Sequence, residues 1–432
     1  MGFLLWTLLA AAQDARTDGQ DWPQWRGSRR DGVWRETGIV DKFGNERIPL
    51  RWSVPIGGGY NGPTVAAGRV YVMDRPKDRS AERVLCLDWK TGATLWEIAY
   101  DCSYEGFSYT AGPRASVTVH DGRAYALGAA GHLHCADAAS GKTLWKRDLR
   151  REYRIRMPNW GIAASPIIEG ELLITQIAGD GDACVVALDR KTGEERWKAF
   201  PDDASYSPPI AIDQAGRRVI VMALGFRLVA FAPADGKLLW SLDTQKSSWP
   251  ISIPTPILQD DLLFWTSAHS GSALLRLAQD RPAVDVVWQR DGRKPRSPDT
   301  LTSVTPTPLV MNGLVFGVQV DGELRCLDLM TGKRHWETTD VMPKAWHATM
   351  HLVRAGDTGD RAWIFTELGD LILARLSAEG YKEITRAKLL DPTVEQGPRG
   401  RAVTWSHPAF AYRHVFARSD QKLVCADLSA SR

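Results

Sequence analysis

The sequence predicts an all-β protein, an eight-bladed β-propeller of four-stranded blades, and three observations predict it. A pattern of a small residue, an aspartate or its substitute, a glycine and a tryptophan recurs with fixed internal spacing. Its tryptophans recur at the interval of a propeller blade. The chain ends on a blade that lacks a last strand, and after a short extension it opens on a strand that lacks a blade.

Cys86, Asp88, Gly92 and Trp96 form the clearest copy, followed by Cys135, Asp137, Gly141 and Trp145. Ala187, Asp189, Gly193 and Trp197 repeat it, as do Ala230, Ala232, Gly236 and Trp240, and then Cys326, Asp328, Gly332 and Trp336. Degenerate copies end at Trp288 and Ile384. From Trp52 onward the intervals are 44, 49, 52, 43, 48, 48 and 48 residues, which makes eight positions and hence eight blades.

Each unit has a local reading. Asn312-Gly313 lies between two apolar runs and marks a tight hairpin, with equivalents at Ala67-Gly68, Asp121-Gly122 and Glu169-Gly170. The aspartate of the repeat supplies an Asx turn, and the glycine four residues later takes the positive φ that the turn demands. The strand around Trp52 should complete the blade begun by residues 403–428. That closure removes the exposed edges an open array would carry. The domain reading is a propeller over 48–432, preceded by an extension over 16–47.

Residues 3–12 form an apolar run too short to span a bilayer and suited to the core of a signal peptide, read here as residues 1–15. No cysteine lies beside it, so a lipid anchor is not expected, and the mature chain is expected in the periplasm or outside the cell as a monomer. The 54 basic and 51 acidic side chains leave a net charge of +3, too weak to suggest nucleic acid as a partner. No later stretch is apolar for long enough to be a transmembrane segment.

The repeat in this register resembles that of pyrroloquinoline-quinone-like propellers, over about residues 21–432. The opening Asp21, Trp22, Pro23, Gln24, Trp25, Arg26 and Gly27 resembles the N-terminal segment of exported members. The resemblance implies two branches. Quinoprotein alcohol dehydrogenases hold pyrroloquinoline quinone with Ca²⁺ and carry an adjacent-cysteine disulfide, which this sequence lacks together with any Cys-x-x-Cys-His haem site. The other branch, non-catalytic and including lipid-anchored outer-membrane assembly factors, matches better in size and blade number.

The tryptophans of the repeat read as wedges between blades, each contributing on the order of 3–5 kcal/mol. Four cysteines take the small-residue position and are expected to be too far apart for a disulfide; Cys102 and Cys184 lie outside this register, and their pairing stays open. No nucleophile motif, dinucleotide fingerprint or metal spacing is present, so no catalytic residue and no metal ligand set is assigned.

A binding signal is expected in the loops that lead from each outer strand into the next innermost strand, because these ring one mouth of the channel. They supply Tyr60, Asn61, Tyr109, Arg114, Asn159, Trp160, Tyr206, Trp249, Trp346, His347, Trp405 and His407. Rings with hydrogen-bonding neighbours around a concave mouth suit a planar or carbohydrate-like ligand. The same rings would also serve to seal a tapering channel. The function expected is a non-catalytic scaffold for a protein, a polymer or a small ligand. The alternative is a quinoprotein oxidoreductase, for which Asn61, Asn159 and Glu105 are the available cation ligands.

Overall fold

The computed structural model describes residues 21–78, 80–244, 251–292 and 300–430. The signal-peptide reading and Trp249 fall outside them. Eight antiparallel sheets follow one another along the chain, and helix is confined to the short turns Leu149–Glu152 and Pro398–Gly400 among the described residues. None of these is long or apolar enough to cross a membrane. The first blade shows the pattern: Thr64–Ala66 innermost, then Arg69–Asp74, Ala81–Asp88 and the outer strand Thr94–Asp101. The middle strands are buried, while the outer strand alternates. This is what a sheet wedged between two neighbours requires.

Closure is as the sequence predicts. Leu50–Pro55 pairs antiparallel with Lys422–Asp427, setting Trp52 opposite Cys425, and so supplies the outer strand of the eighth blade. The turns also follow the expected chemistry. Asp88 Oδ1 accepts from the backbone N–H of Lys90 and Thr91 and from the Thr91 hydroxyl, and Gly92 has a φ of 74°. At the hairpins both Asn312 and Gly313 have positive φ, as do Asp121 and Gly122.

The tryptophans join blade to blade. Trp52 Nε1 donates to Trp89 O at 2.8 Å, Trp96 to Ala138 O at 3.1 Å and Trp145 to Arg190 O at 3.2 Å, in each case a carbonyl of the following blade's turn. Trp197, Trp288 and Trp336 repeat this on Pro233, Leu329 and Ser377. In five of these six, all but Trp336, the ring lies against that turn's glycine. A methyl group at Gly141 would sit 2.6 Å from Trp96 Cδ2. Trp240 faces the degenerate fifth blade and bonds instead to Gln214 Oε1, whose amide donates onward to Ala283 O at 2.6 Å. A side chain thus replaces the missing turn. All six cysteines are buried and free, Cys102 and Cys184 included.

The N-terminal segment does not lie along the outside of the ring but enters the channel. Trp22 bridges Val65 in the first blade, and Pro23 O accepts from Val119 in the second. The Arg30 guanidinium donates to the carbonyls of Ser165, Pro166 and Pro209, in the third and fourth blades. Trp25 Nε1 donates to Thr255 Oγ1 in the fifth at 2.8 Å. Val33–Trp34 then leaves as a parallel partner of Arg354 and Ala355 in the seventh blade, and the Trp34 ring packs 4.9 Å from that of Phe410 in the eighth. The segment therefore touches seven blades and stoppers one end of the channel.

The glycine contact can be separated from the glycine's backbone conformation. Gly141→Ala is expected to cost about 2–5 kcal/mol, from a left-handed alanine plus overpacking against Trp96. Gly122→Ala has the same sign of φ with no atom within 4 Å, and should cost only about 1–2 kcal/mol. Denaturant unfolding of the two variants measures the difference; equal losses would show that the ring contact adds nothing.

Candidate functional site

The loops entering the innermost strands converge at the open mouth of the channel. All eight blades contribute side chains to one chamber of about 140 Å³, closed from beneath by Trp25. The Trp25 ring stands edge-on to His407 at 4.4 Å, so the N-terminal stopper is also the chamber floor.

The walls are a run of rings. Tyr109 lies 5.8 Å from both Trp160 and Trp405, and Trp160 lies 5.1 Å from Tyr206. Local bonds hold these rings in place. Trp405 Nε1 donates to Glu367 Oε2 at 2.8 Å, and the Tyr206 hydroxyl accepts from the Trp160 amide at 3.3 Å. Tyr109 is held at a φ of 57°, a conformation unusual for a side-chain-bearing residue, which fits its place at the meeting of three loops. Pro208, Ile253 and Val304 fill the apolar gaps, and Thr305 meets Thr349 hydroxyl to hydroxyl at 2.7 Å.

Polar groups in the lining are few and mostly occupied. His407 is bonded to Ser116 Oγ through Nε2 at 2.7 Å and contacts Pro408 O through Nδ1 at 3.3 Å. His351 Nε2 donates to Trp405 O at 2.8 Å. Burial, with help from His351, pushes His407 down to about 3, and burial pushes His351 and His347 down to about 4. All three are neutral at physiological pH. Arg114 is the one cation of the lining among the described residues. It donates to the carbonyls of Gly112, Ser108 and Tyr109 and stacks 5.1 Å from the Tyr60 ring centre. No aspartate or glutamate lines the chamber among the described residues.

Eight of the predicted residues meet here: Tyr60, Tyr109, Arg114, Trp160, Tyr206, His347, Trp405 and His407. Asn61 does not. Its side chain is fully buried and clasps the second strand, donating to Met73 O and accepting from Met73 N, so it fixes a loop instead of facing a ligand. Asn159 turns outward to Ser108 Oγ and lines a neighbouring crevice. Glu105 lines another crevice, between the first two blades, so the three suggested cation ligands do not meet. Trp346 points away from the chamber, 59% exposed, and stacks on His347 at 4.6 Å. Sequence reasoning left out Trp25, whose signal was a second tryptophan in an N-terminal segment outside the repeat. It also left out His351, the second residue of the innermost strand Met350–Ala355.

Comparison with known proteins agrees with this architecture. The family described as outer membrane protein assembly factor BamB matches residues 80–338. A BamB from Moranella endobia (strain PCIT) is 24% identical over 231 residues, covering 51% of this chain and 55% of that protein. A quinoprotein ethanol dehydrogenase from Pseudomonas putida is 35% identical over 97 residues, covering 22% of this chain and 14% of that protein. The chain spans about half the length of the BamB relative it matches, and far less of the dehydrogenase. A europium-containing methanol dehydrogenase superposes with a TM-score of 0.70 at 13% identity, covering 93% of this chain and 90% of that one, a likeness of fold alone. With more than half of its residues inside the family match and eight blades in the expected register, the chain belongs to the BamB family of pyrroloquinoline-quinone-like repeat propellers.

Proposed function

We propose that this chain is an exported, non-catalytic binding scaffold that presents its channel mouth to a protein partner and seats one ring-bearing side chain of that partner in the chamber. The observation that carries this reading is the convergence of all eight blades on one blind, ring-walled chamber. Its three histidines are neutral, two of them are bonded to the frame, and its lining offers no carboxylate among the described residues, so it supplies contact surface in place of acid–base groups. Trp346, exposed at the rim, adds the kind of aromatic anchor that protein interfaces favour. The relatives named outer membrane protein assembly factor point to the same use.

The residues present do not fit pyrroloquinoline quinone with Ca²⁺. Ca²⁺ takes six to eight oxygen ligands, carboxylates prominent among them. Here Asn61 is spent on the backbone, and no group of three or more His, Cys, Asp or Glu side chains suited to a metal occurs among the described residues. The chamber of about 140 Å³ is also less than half the roughly 300 Å³ at which pockets for drug-sized ligands begin.

N-acetylphenylalaninamide is the simplest probe of a ring-bearing side chain. It should quench tryptophan fluorescence saturably, with a Kd of about 1 mM, or about 4 kcal/mol. N-acetylalaninamide should not, and Trp160→Ala should weaken the phenylalanine probe about tenfold. Calorimetric titration with pyrroloquinoline quinone, with and without Ca²⁺, followed by dye reduction with alcohols, is the counter-test. Ca²⁺-dependent binding with turnover would overturn the scaffold reading.

The buried imidazoles set a pH dependence. His347, His351 and His407 titrate near 6.5 when free and near 4, 4 and 3 in the fold. Between those values the unfolded chain binds more protons, so stability is complete above about 6.5 and is lost as pH falls toward 3. The thermal midpoint should therefore drop between pH 6.5 and 4, and His407→Gln, which keeps an acceptor for Ser116, should make that drop shallower. An unchanged slope in the variant would show that His407 is not a source of the loss.

A further inference from the structure

The chamber holds a positive charge that nothing in it answers. Three of the five N–H groups of Arg114 go to the carbonyls of Gly112, Ser108 and Tyr109. Arg114 makes no ion pair among the described residues. The Tyr60 hydroxyl beside it is buried against the Ala111 backbone amide, and its own proton has no acceptor. An orphaned buried hydroxyl and an unpaired guanidinium side by side each cost free energy unless an acceptor arrives.

The charges beneath the floor share this sign. Below the floor, Arg30 is buried with neutral partners, the Gln24 side-chain oxygen and three backbone carbonyls. Arg26, also buried, has Asp31 as its nearest acid, and Asp31 is itself paired with Arg35. Two carboxylates stand behind the walls, and both are engaged: Glu367 behind Trp405 is paired with Arg401, and Asp420, whose charge reaches Tyr60, accepts from Gly59 N–H, Thr393 and Gln396 and lies near Arg418. Arg26 adds to the forces that keep His351 and His407 unprotonated. A guest bearing a negative charge completes these bonds, and a cationic guest is repelled.

We propose that the partner segment is acidic, an aromatic residue beside an aspartate, with the ring among Tyr109, Trp160 and Trp405 and the carboxylate held by Arg114 and the Tyr60 hydroxyl. The proposal rests on the scaffold reading above and names the chemistry of the partner at that same chamber. A carboxylate on a guanidinium forms charge-assisted bonds about twice as strong as neutral ones, and partial burial spares them screening. The aromatic walls supply affinity for the ring without regard to its charge. The selectivity for acid is thus assigned to two residues.

The test compares N-acetyl-Asp-Phe-amide with N-acetyl-Asn-Phe-amide, which differ only in charge, by calorimetry on the purified full chain. The acidic peptide should bind at least tenfold more tightly. Tyr60→Phe removes a hydroxyl whose proton has no acceptor in the fold; it should weaken the acidic peptide several-fold and the asparagine peptide less, because an amide oxygen is the weaker acceptor. Arg114→Gln should bring the two peptides to equal affinity. Equal affinities in the unaltered chain would overturn the proposal while the scaffold reading stands, whereas failure of both peptides and of N-acetylphenylalaninamide would overturn both. Benzoate binding as tightly as the acidic peptide would assign the chamber to a free aromatic acid and overturn the peptide.

Discussion

Everything at the channel mouth depends on a contact repeated around the ring, the indole of one blade's outer strand lying on the glycine turn of the next. The contact joins two kinds of interaction. The indole N–H satisfies a turn carbonyl, and the ring covers a glycine whose positive φ and missing side chain both result from the turn itself. Because turn and tryptophan sit at fixed places in the intact repeats, the contact sets the angle between blades. That angle brings eight lead-in loops to the rim of a single opening. Where the turn degenerates in the fifth blade, Gln214 bridges the gap, so the spacing survives loss of the motif.

A ring of eight blades leaves a channel along its axis, and the chain uses its own N-terminal segment to fill one end. Arg30 suits that task because its guanidinium bonds to carbonyls from two blades at once. Burial with no acid beside it pulls its pKa down to about 9, still charged at neutral pH, so its hydrogen bonds keep their ionic strength. The stopper turns a through-channel into a blind chamber. Trp25 at its tip is then both structural and part of whatever surface a guest meets.

The legibility of these features followed their distance from the repeat. Blade number, hairpins, Asx turns and closure by the Trp52 strand are local or periodic, and all were readable from spacing. Eight of the chamber residues were readable for a related reason, since the fold sends every lead-in loop to the same mouth. What spacing does not reveal is which way a side chain turns within its loop. Asn61 and Asn159 looked like ligands, but an amide near a loop's own backbone is spent there first, as the Met73 clasp shows. Trp346 is held by the left-handed turn at His347, where φ is 56°, and faces outward. Trp25 and Arg30 act across the ring, on partners more than a hundred residues away, and periodicity carries no record of such contacts.

The chamber's chemistry follows from which polar groups remain free once the frame is satisfied. Histidines at a channel mouth invite a catalytic reading, yet two of the three here are held by hydrogen bonds from Ser116 or to Trp405 O, and burial leaves all three without charge. A base needs a free lone pair aimed at a substrate proton and a pKa near the working pH. These imidazoles lack the second property, and His407, whose Nε2 accepts from Ser116, lacks the first as well. Arg114 is different, because a guanidinium has more donors than the three carbonyls around it can accept. The frame therefore consumes the groups that could move protons and leaves over the group that can hold an anion. On the reading proposed above, this set of loop residues makes the channel mouth a surface for holding a guest instead of a site for moving protons.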